Sequence, residues 1–417
     1  MTEPTKLGPK HSDRASQSVV ASLASGGVVA IAVALMILQA QAVFINVGGF
    51  SLSVYALVLA AGLLVLATVA LLYRAVLGRK SDSERTPALR ALALLSPLLI
   101  LSAYASVRLV AEWRLEGAQN LLALFVLSLA PLVFWLSNSW PRPDQALRIV
   151  VWVMGPTSLV YLTFRFLDLP GFADRQFAMV ALVGLAAAVS LTPRSIAERV
   201  VPYLIFVGIV ASGSRTASVI ALVVLATLAL RSATSIVQKL FRLAIIGAGG
   251  VGVGVLAFIA LGFVSERVEE SGVSGTVAEV IFNSNGRLGA WAEFLNLLNS
   301  PTAWVFGRGT GAAMDFGTAN LDFFSHPHNE YIRYLVDLGA LGLILLASGC
   351  VLVLVTLLRS QGFELDAPRA ATLVIVALGG MAMTDGPLYS SFVIIPASRI
   401  IGMGLRSRRE AAAEPSG

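Results

Sequence analysis

Four groups of polar side chains in the second half of this sequence have the types and spacing needed to act on a charged or hydroxylated substrate. The first is Gly213-Ser214-Arg215-Thr216-Ala217, between two apolar runs. An arginine at membrane depth is costly unless paired or hydrated. Arg215 therefore either binds a substrate or snorkels to lipid phosphates. Its small neighbours predict a tight turn, with Ser214 able to cap the helix that follows. The second is Asn283-Ser284-Asn285-Gly286-Arg287, followed by Leu288, Trp291, Leu295 and Leu298. The three-four-three spacing predicts an amphipathic helix over 286–299, capped by Ser284 or Asn285 and closed by Pro301. Arg287 falls in its first turn, where a cation opposes the helix dipole unless an anion sits there. It is either an anion ligand or a solvated surface arginine. The third is Gly307-Arg308-Gly309-Thr310-Gly311, whose amides either cradle phosphate or form a plain flexible turn. The fourth is Ser325-His326-Pro327-His328-Asn329-Glu330-Tyr331. It offers a histidine general base, a structural helix cap, or a zinc site from His326, His328 and Glu330. Pro327 between the histidines and the lack of a further His or Cys ligand nearby count against zinc.

The elements that must hold these groups are membrane helices. The chain has 417 residues, is 57% hydrophobic and is 13% charged, about half the charge expected of a soluble protein. The apolar residues come in blocks near the 20 or so residues needed to cross a bilayer, and too uniformly apolar for barrel strands. Twelve blocks are read: 19–46, 51–73, 88–110, 119–138, 145–164, 174–192, 197–211, 214–231, 239–263, 331–358, 368–390 and 391–405. The pair 197–211 and 214–231 is split by Gly213, and the last pair reads alternatively as one broken span. The fold class is thus all-α, a polytopic helical bundle. The polar residues 1–18 precede a block without a small-x-small cleavage site, which reads as a retained span. The single cysteine, Cys350, lies within a span and excludes an internal disulfide.

Charge placement orients the bundle. With twelve spans, twenty of the 30 Lys and Arg residues share the side of the N-terminus, nine lie opposite, and Arg399 sits within the last span. Every lysine is on the first side, which the positive-inside rule makes cytoplasmic. This distribution explains the net charge of +6 and argues against nucleic acid as a partner. The expected layout is a cytoplasmic tail 1–18, a bundle 19–263, a large extracytoplasmic loop 264–330, C-terminal spans 331–405 and a cytoplasmic tail 406–417. The protein is then a multi-pass protein of the inner (cytoplasmic) membrane with both termini cytoplasmic and its chemistry outside, on loops held by a rigid scaffold.

In order and on one side, these pieces resemble the O-antigen ligase and O-antigen polymerase superfamily of bacterial membrane glycosyltransferases. The resemblance covers about 200–345. It rests on Gly213 to Ala217, on Gly286-Arg287 with Trp291 leading to Pro301 and Gly307-Arg308-Gly309, and above all on His328-Asn329, nine residues, then Gly339-Ala340-Leu341-Gly342. It implies a GT-C-like fold and an inverting transfer without metal or other cofactor. The donor would be a polyprenyl-diphosphate-linked glycan and the acceptor a glycan or glycolipid hydroxyl, with membrane lipids around them and a flippase or chain-length regulator as protein partners. Arg215 and Arg287 match the family's diphosphate-binding arginines and His328 its essential histidine. Ser214, Trp291, Arg308, Gly309, His326 and Asn329 are the remaining substrate-site candidates, with His326 outside the signature. Ligation onto lipid A core, repeat-unit polymerisation and protein O-glycosylation share this chemistry.

The competing reading is a polytopic secondary transporter or glycolipid flippase. Such proteins place ionisable residues near the midplane and show repeated halves. Here the one clear midspan acid is Asp385, beside Gly386-Pro387, and no internal repeat is evident.

Overall fold

A computed structural model of the chain describes residues 46–47, 50–76, 82–136, 142–169, 173–231, 287–321, 326–358 and 365–413. The expected spans 19–46 and 239–263, the tail 1–18, and loop residues 264–286 with their Asn-Ser-Asn cap lie outside the described residues, apart from Asn46. A two-residue antiparallel ladder, β1 (Asn46–Val47) with β2 (Phe50–Ser51), precedes the helices. The helices are α1 (Leu52–Val76), α2 (Asp82–Ala111), α3 (Leu115–Leu136), α4 (Pro143–Phe166), α5 (Asp174–Ser190), α6 (Ile196–Ala211) and α7 (Arg215–Arg231). Three short ones follow: α8 (Arg287–Asn296), α9 (Pro301–Phe306) and α10 (Ala312–Asn320). The chain ends in α11 (Glu330–Leu358), α12 (Asp366–Met381) and α13 (Ser391–Ala413).

Apart from that small ladder the described structure is helical. Four segments, Leu89–Ala111, Leu115–Leu136, Pro143–Phe166 and Glu330–Leu358, are long and apolar enough to cross a membrane. The sequence expected twelve spans, and several of those blocks are shorter helices here. The break at Gly213 separates α6 from α7, with Gly213 at φ 69°.

One apolar core joins the long helices. α5 is buried from Phe177 to Ser190, as an all-apolar helix should be, and its small residues let neighbours close in: a Cβ on Gly184 would press into Met154 of α4. Gly402 of α13 meets the Pro131 backbone of α3 in the same way. Small residues at such contacts are how helices associate in lipid, where burial alone gives little drive. At one end of the bundle Arg148 pairs with Glu198, and Asp366 accepts from the Thr192 amide and hydroxyl.

At the opposite end the three short helices lie on α11, α2 and α3. They have a small core of their own: Ala290, Phe294 and Ala313 against Val336. Pro301, expected to close the preceding helix, instead opens α9 behind an Ser300 cap whose hydroxyl accepts from the Ala303 amide, in keeping with proline's preference for the first helical position. The expected continuous span 331–358 is broken at Gly339 (φ 68°, ψ −173°). A Cβ on Gly339 would strike the Val305 carbonyl, and one on Gly307 (φ 75°) would strike Asp337. The two glycines thus let α9 and the bend in α11 touch backbone to backbone.

Gly339→Ala is expected to lose at least about 1–3 kcal/mol from the left-handed backbone alone, with the collision added. Gly289→Ala in α8, where a Cβ meets nothing within 4 Å, is expected to be neutral or to gain up to about 1 kcal/mol. Thermal unfolding in detergent followed by circular dichroism measures both.

Candidate active site

The histidine segment, the turn before α7, and the segment 382–390 between α12 and α13 gather at the end of the bundle that carries the short helices. The Glu330 amide donates to the Ala382 carbonyl (2.8 Å), and the Tyr331 hydroxyl donates to the Gly379 carbonyl (2.7 Å). Gly380 packs on Ile220, five residues after Arg215. Arg215 therefore opens α7 about 7 Å along the axis from that contact, at the same end as His328.

His328 has φ 49° and, with Asp168, is one of two non-glycine residues at positive φ among those described. Such a conformation costs about 1–3 kcal/mol and persists only where surroundings enforce it. Three contacts enforce it. Asn329 Oδ1 accepts from the Ile332 amide (3.1 Å) and so caps α11. Trp291 Nε1 donates to the Pro327 carbonyl (2.6 Å). The His326 ring packs on the His328 ring with centroids 3.9 Å apart, and His326 Nε2 shares a hydrogen bond with the Tyr389 hydroxyl (2.9 Å). Burial, then the Glu330 carboxylate, push that hydroxyl above the ordinary phenol range, while Arg333 and Arg175 act in the opposite sense. Tyr389 stays neutral at physiological pH.

His328 Nδ1 faces Asp385 Oδ1 at 3.7 Å, with 17% and 10% of the two side chains exposed. By sequence Asp385 is a midspan acid. It lies instead in the non-helical segment after α12, where its amide donates to the Met381 carbonyl. Gly386-Pro387 is the signal that could have shown this, because a Gly-Pro pair marks a turn.

Beneath the site, Arg333 is bound by Glu330, with Arg333 Nε donating to Glu330 Oε2 (2.6 Å), and its guanidinium lies over the rings of Tyr334 and Tyr389. Glu330 Oε1 accepts from the Leu388 amide (3.2 Å). This buried pair ties the start of α11 to the Asp385 segment. Among the described residues no three His, Cys, Asp or Glu side chains are grouped to hold a metal ion.

The 307–311 loop is neither a flexible turn nor an open phosphate cradle. The Arg308 and Gly309 amides donate to the carbonyls of Val336 and Asp337 (2.7 and 3.0 Å). The Gly311 and Ala313 amides donate to the Asp337 carboxylate (3.0 and 2.8 Å). The acceptor at this helix N-terminus is a side chain of the protein itself, Asp337. The Arg308 guanidinium donates to the Leu297 carbonyl (2.6 Å) and to Asn299 Oδ1.

Of the candidate residues, the structure brings together His328, His326, Asn329 and Trp291, and sets Ser214 and Arg215 at the same end. Arg308 and Gly309 stand in a separate joint. Arg287 opens α8, one helical turn before Trp291, and its side chain lies outside the described residues. Arg215 and Arg287 thus share an unusual trait: each is a cation at the positive end of a helix.

Residues 200–347 match the family model described as O-antigen ligase. That stretch, about a third of the chain, runs from α6 past the bend in α11, includes Arg215, Arg287, Arg308 and His328, and is similar to the O-antigen ligase family. No curated protein matches the sequence. The match and the apolar helices together support a membrane protein similar to O-antigen ligases over this stretch.

Glu330→Ala leaves Arg333 buried without its carboxylate, which costs about 3–5 kcal/mol. It should also speed amide exchange in 382–390, measured by hydrogen–deuterium exchange. An unchanged exchange rate in that segment would contradict the role given to this pair.

Proposed function

We propose that the protein transfers a glycan from a polyprenyl-diphosphate carrier to a hydroxyl of an acceptor glycan or glycolipid, with inversion and without a metal. The observation that carries this reading is the His328 imidazole, held on strained backbone with Nδ1 toward Asp385, inside the stretch that matches the ligase family.

The chemistry follows from the groups at hand. The acceptor hydroxyl oxygen attacks the anomeric carbon while the bond from that carbon to the diphosphate oxygen breaks. His328 Nε2 takes the hydroxyl proton. Asp385 positions the ring and favours the imidazolium that forms, as a carboxylate behind a histidine base does. Histidine–carboxylate contacts are often long without substrate and tighten in the complex, which suits the 3.7 Å separation. The departing polyprenyl diphosphate gains negative charge. Arg215 and Arg287 receive it, each at a helix start whose dipole favours an anion. A guanidinium fork matches phosphate oxygens and does here what a divalent cation does elsewhere.

The remaining apolar segments are read as further spans, twelve in all, in a GT-C-like arrangement. In this reading His328 faces the extracytoplasmic side of the inner membrane, as the distribution of Lys and Arg supports, where a flipped glycolipid is presented. Ligation and polymerisation differ only in the acceptor.

Arg215→Ala, Arg287→Ala and His328→Ala are each expected to lower transfer about 10²–10⁴-fold, with membrane insertion intact. Asp385→Asn should fall in the same range, and His326→Ala should cost less. Transfer is followed with purified protein and a radiolabelled lipid-linked donor. Full activity of His328→Ala would remove it as the base.

A further inference from the structure

A cavity of about 560 Å³ lies between the α2–α3 turn and helices α9 and α10, and reaches Leu297 just past the end of α8. Its volume is that of a small-molecule site. The lining is of three kinds. Arg108, Glu112, Arg114 and Asp315 form an alternating chain of charge: Arg108 to Glu112 at 3.0 Å, Glu112 to Arg114 at 3.2 Å, Arg114 to Asp315 at 3.4 Å. Phe306 and Phe316 contribute rings, with Phe306 44% exposed. Asn320 adds an exposed amide at the rim.

We propose that this cleft binds a neutral saccharide, a second glycan subsite that steadies the sugar chain beside the transfer centre. The proposal rests on the glycan-transfer reading and deepens it. The four chained groups balance one another, and Arg308, also in the wall, is held by the Leu297 carbonyl and Asn299 Oδ1, so the wall offers strong donors and acceptors with a small net charge. Arg108 Nε is buried without a hydrogen-bond partner, and the Asp315 side chain is 61% exposed, with carboxylate lone pairs free to accept. Vicinal hydroxyls, each donor and acceptor at once, match such a wall, while the C–H face of a sugar ring packs on an aromatic face. A diphosphate fits less well, because Arg108 and Arg114 already face the Glu112 and Asp315 carboxylates, which would repel it. The floor is rigid: Arg114 donates to the Arg308 carbonyl (3.0 Å) and the Thr310 hydroxyl to the Ala105 carbonyl (2.9 Å). The cleft reaches Leu297, six residues beyond Trp291, so α8 spans about 9 Å between the subsite and the histidine segment. An extended glycan bridges that gap.

The test uses the full chain in detergent and, as probe, neutral oligosaccharides freed by mild acid from the host's own surface polysaccharide, with inorganic pyrophosphate as control. Saturation-transfer NMR is expected to show oligosaccharide binding that weakens at least tenfold in Ala319→Trp, which fills the cleft from an exposed position, and in Asp315→Asn. Pyrophosphate binding should not change. Asn320→Ala, at an exposed rim position, gives a third reading should the bulky variant misfold. No oligosaccharide binding by the unaltered protein, or equal binding by all three variants, overturns the proposal. This readout needs no turnover, so a failure of the transfer reading is seen separately, as binding without activity. In a working transfer assay, Ala319→Trp raises KM for the donor if the saccharide is the donor's and for the acceptor if it is the acceptor's. An unchanged KM for both overturns it.

Discussion

The backbone contact between Gly307 and Gly339 sets where everything at this end of the protein lies. The two left-handed glycines bring the end of α9 and the bend of α11 closer than any side chain would allow. The loop amides then reach the carbonyls and carboxylate of Val336 and Asp337 instead of water. Backbone polar groups inside a membrane protein must be satisfied internally, and here one bend does so for two segments at once. Because α8 runs from this joint back to the histidine segment, the same contact fixes the helix that Arg287 opens.

Above the joint, polar groups that would be costly alone support one another. Glu330 and Arg333 share a buried site, and Glu330 also holds the Leu388 amide. That bond places the 382–390 segment so that Asp385 meets His328 and Tyr389 meets His326. The strain at His328 is held in place by a capped helix, a tryptophan strut and a ring contact. In the proposed reaction this stored geometry replaces motion, because the imidazole is already turned with Nδ1 toward Asp385.

Much of this was legible in the residues, for physical reasons. The apolar blocks gave the helices, because length and hydrophobicity suffice in lipid. Gly213 gave the break before Arg215, and the spacing from Leu288 to Leu298 gave α8. What escaped was tertiary. Gly339 reads as an ordinary small residue inside a span, and only the approach of Val305 shows why nothing larger fits. The Gly-Arg-Gly-Thr-Gly run looks like a phosphate loop because it is built as one, but its acceptor, Asp337, lies 26 residues past Gly311. Asp385 is far in sequence from His328, and Arg108, Glu112 and Arg114 precede the rest of their cleft, which begins at Leu297, by helices α3 to α8. No local pattern announces such partners.

The most direct measurement is a structure of the protein with polyprenyl diphosphate bound, determined by electron cryomicroscopy in a lipid nanodisc. The account predicts diphosphate density between the starts of α7 and α8, touched by the guanidinium groups of Arg215 and Arg287, with His328 Nε2 across the sugar's place from the phosphate that carries it. Diphosphate bound elsewhere, or Arg215 and Arg287 on separate sides of the bilayer, would contradict it.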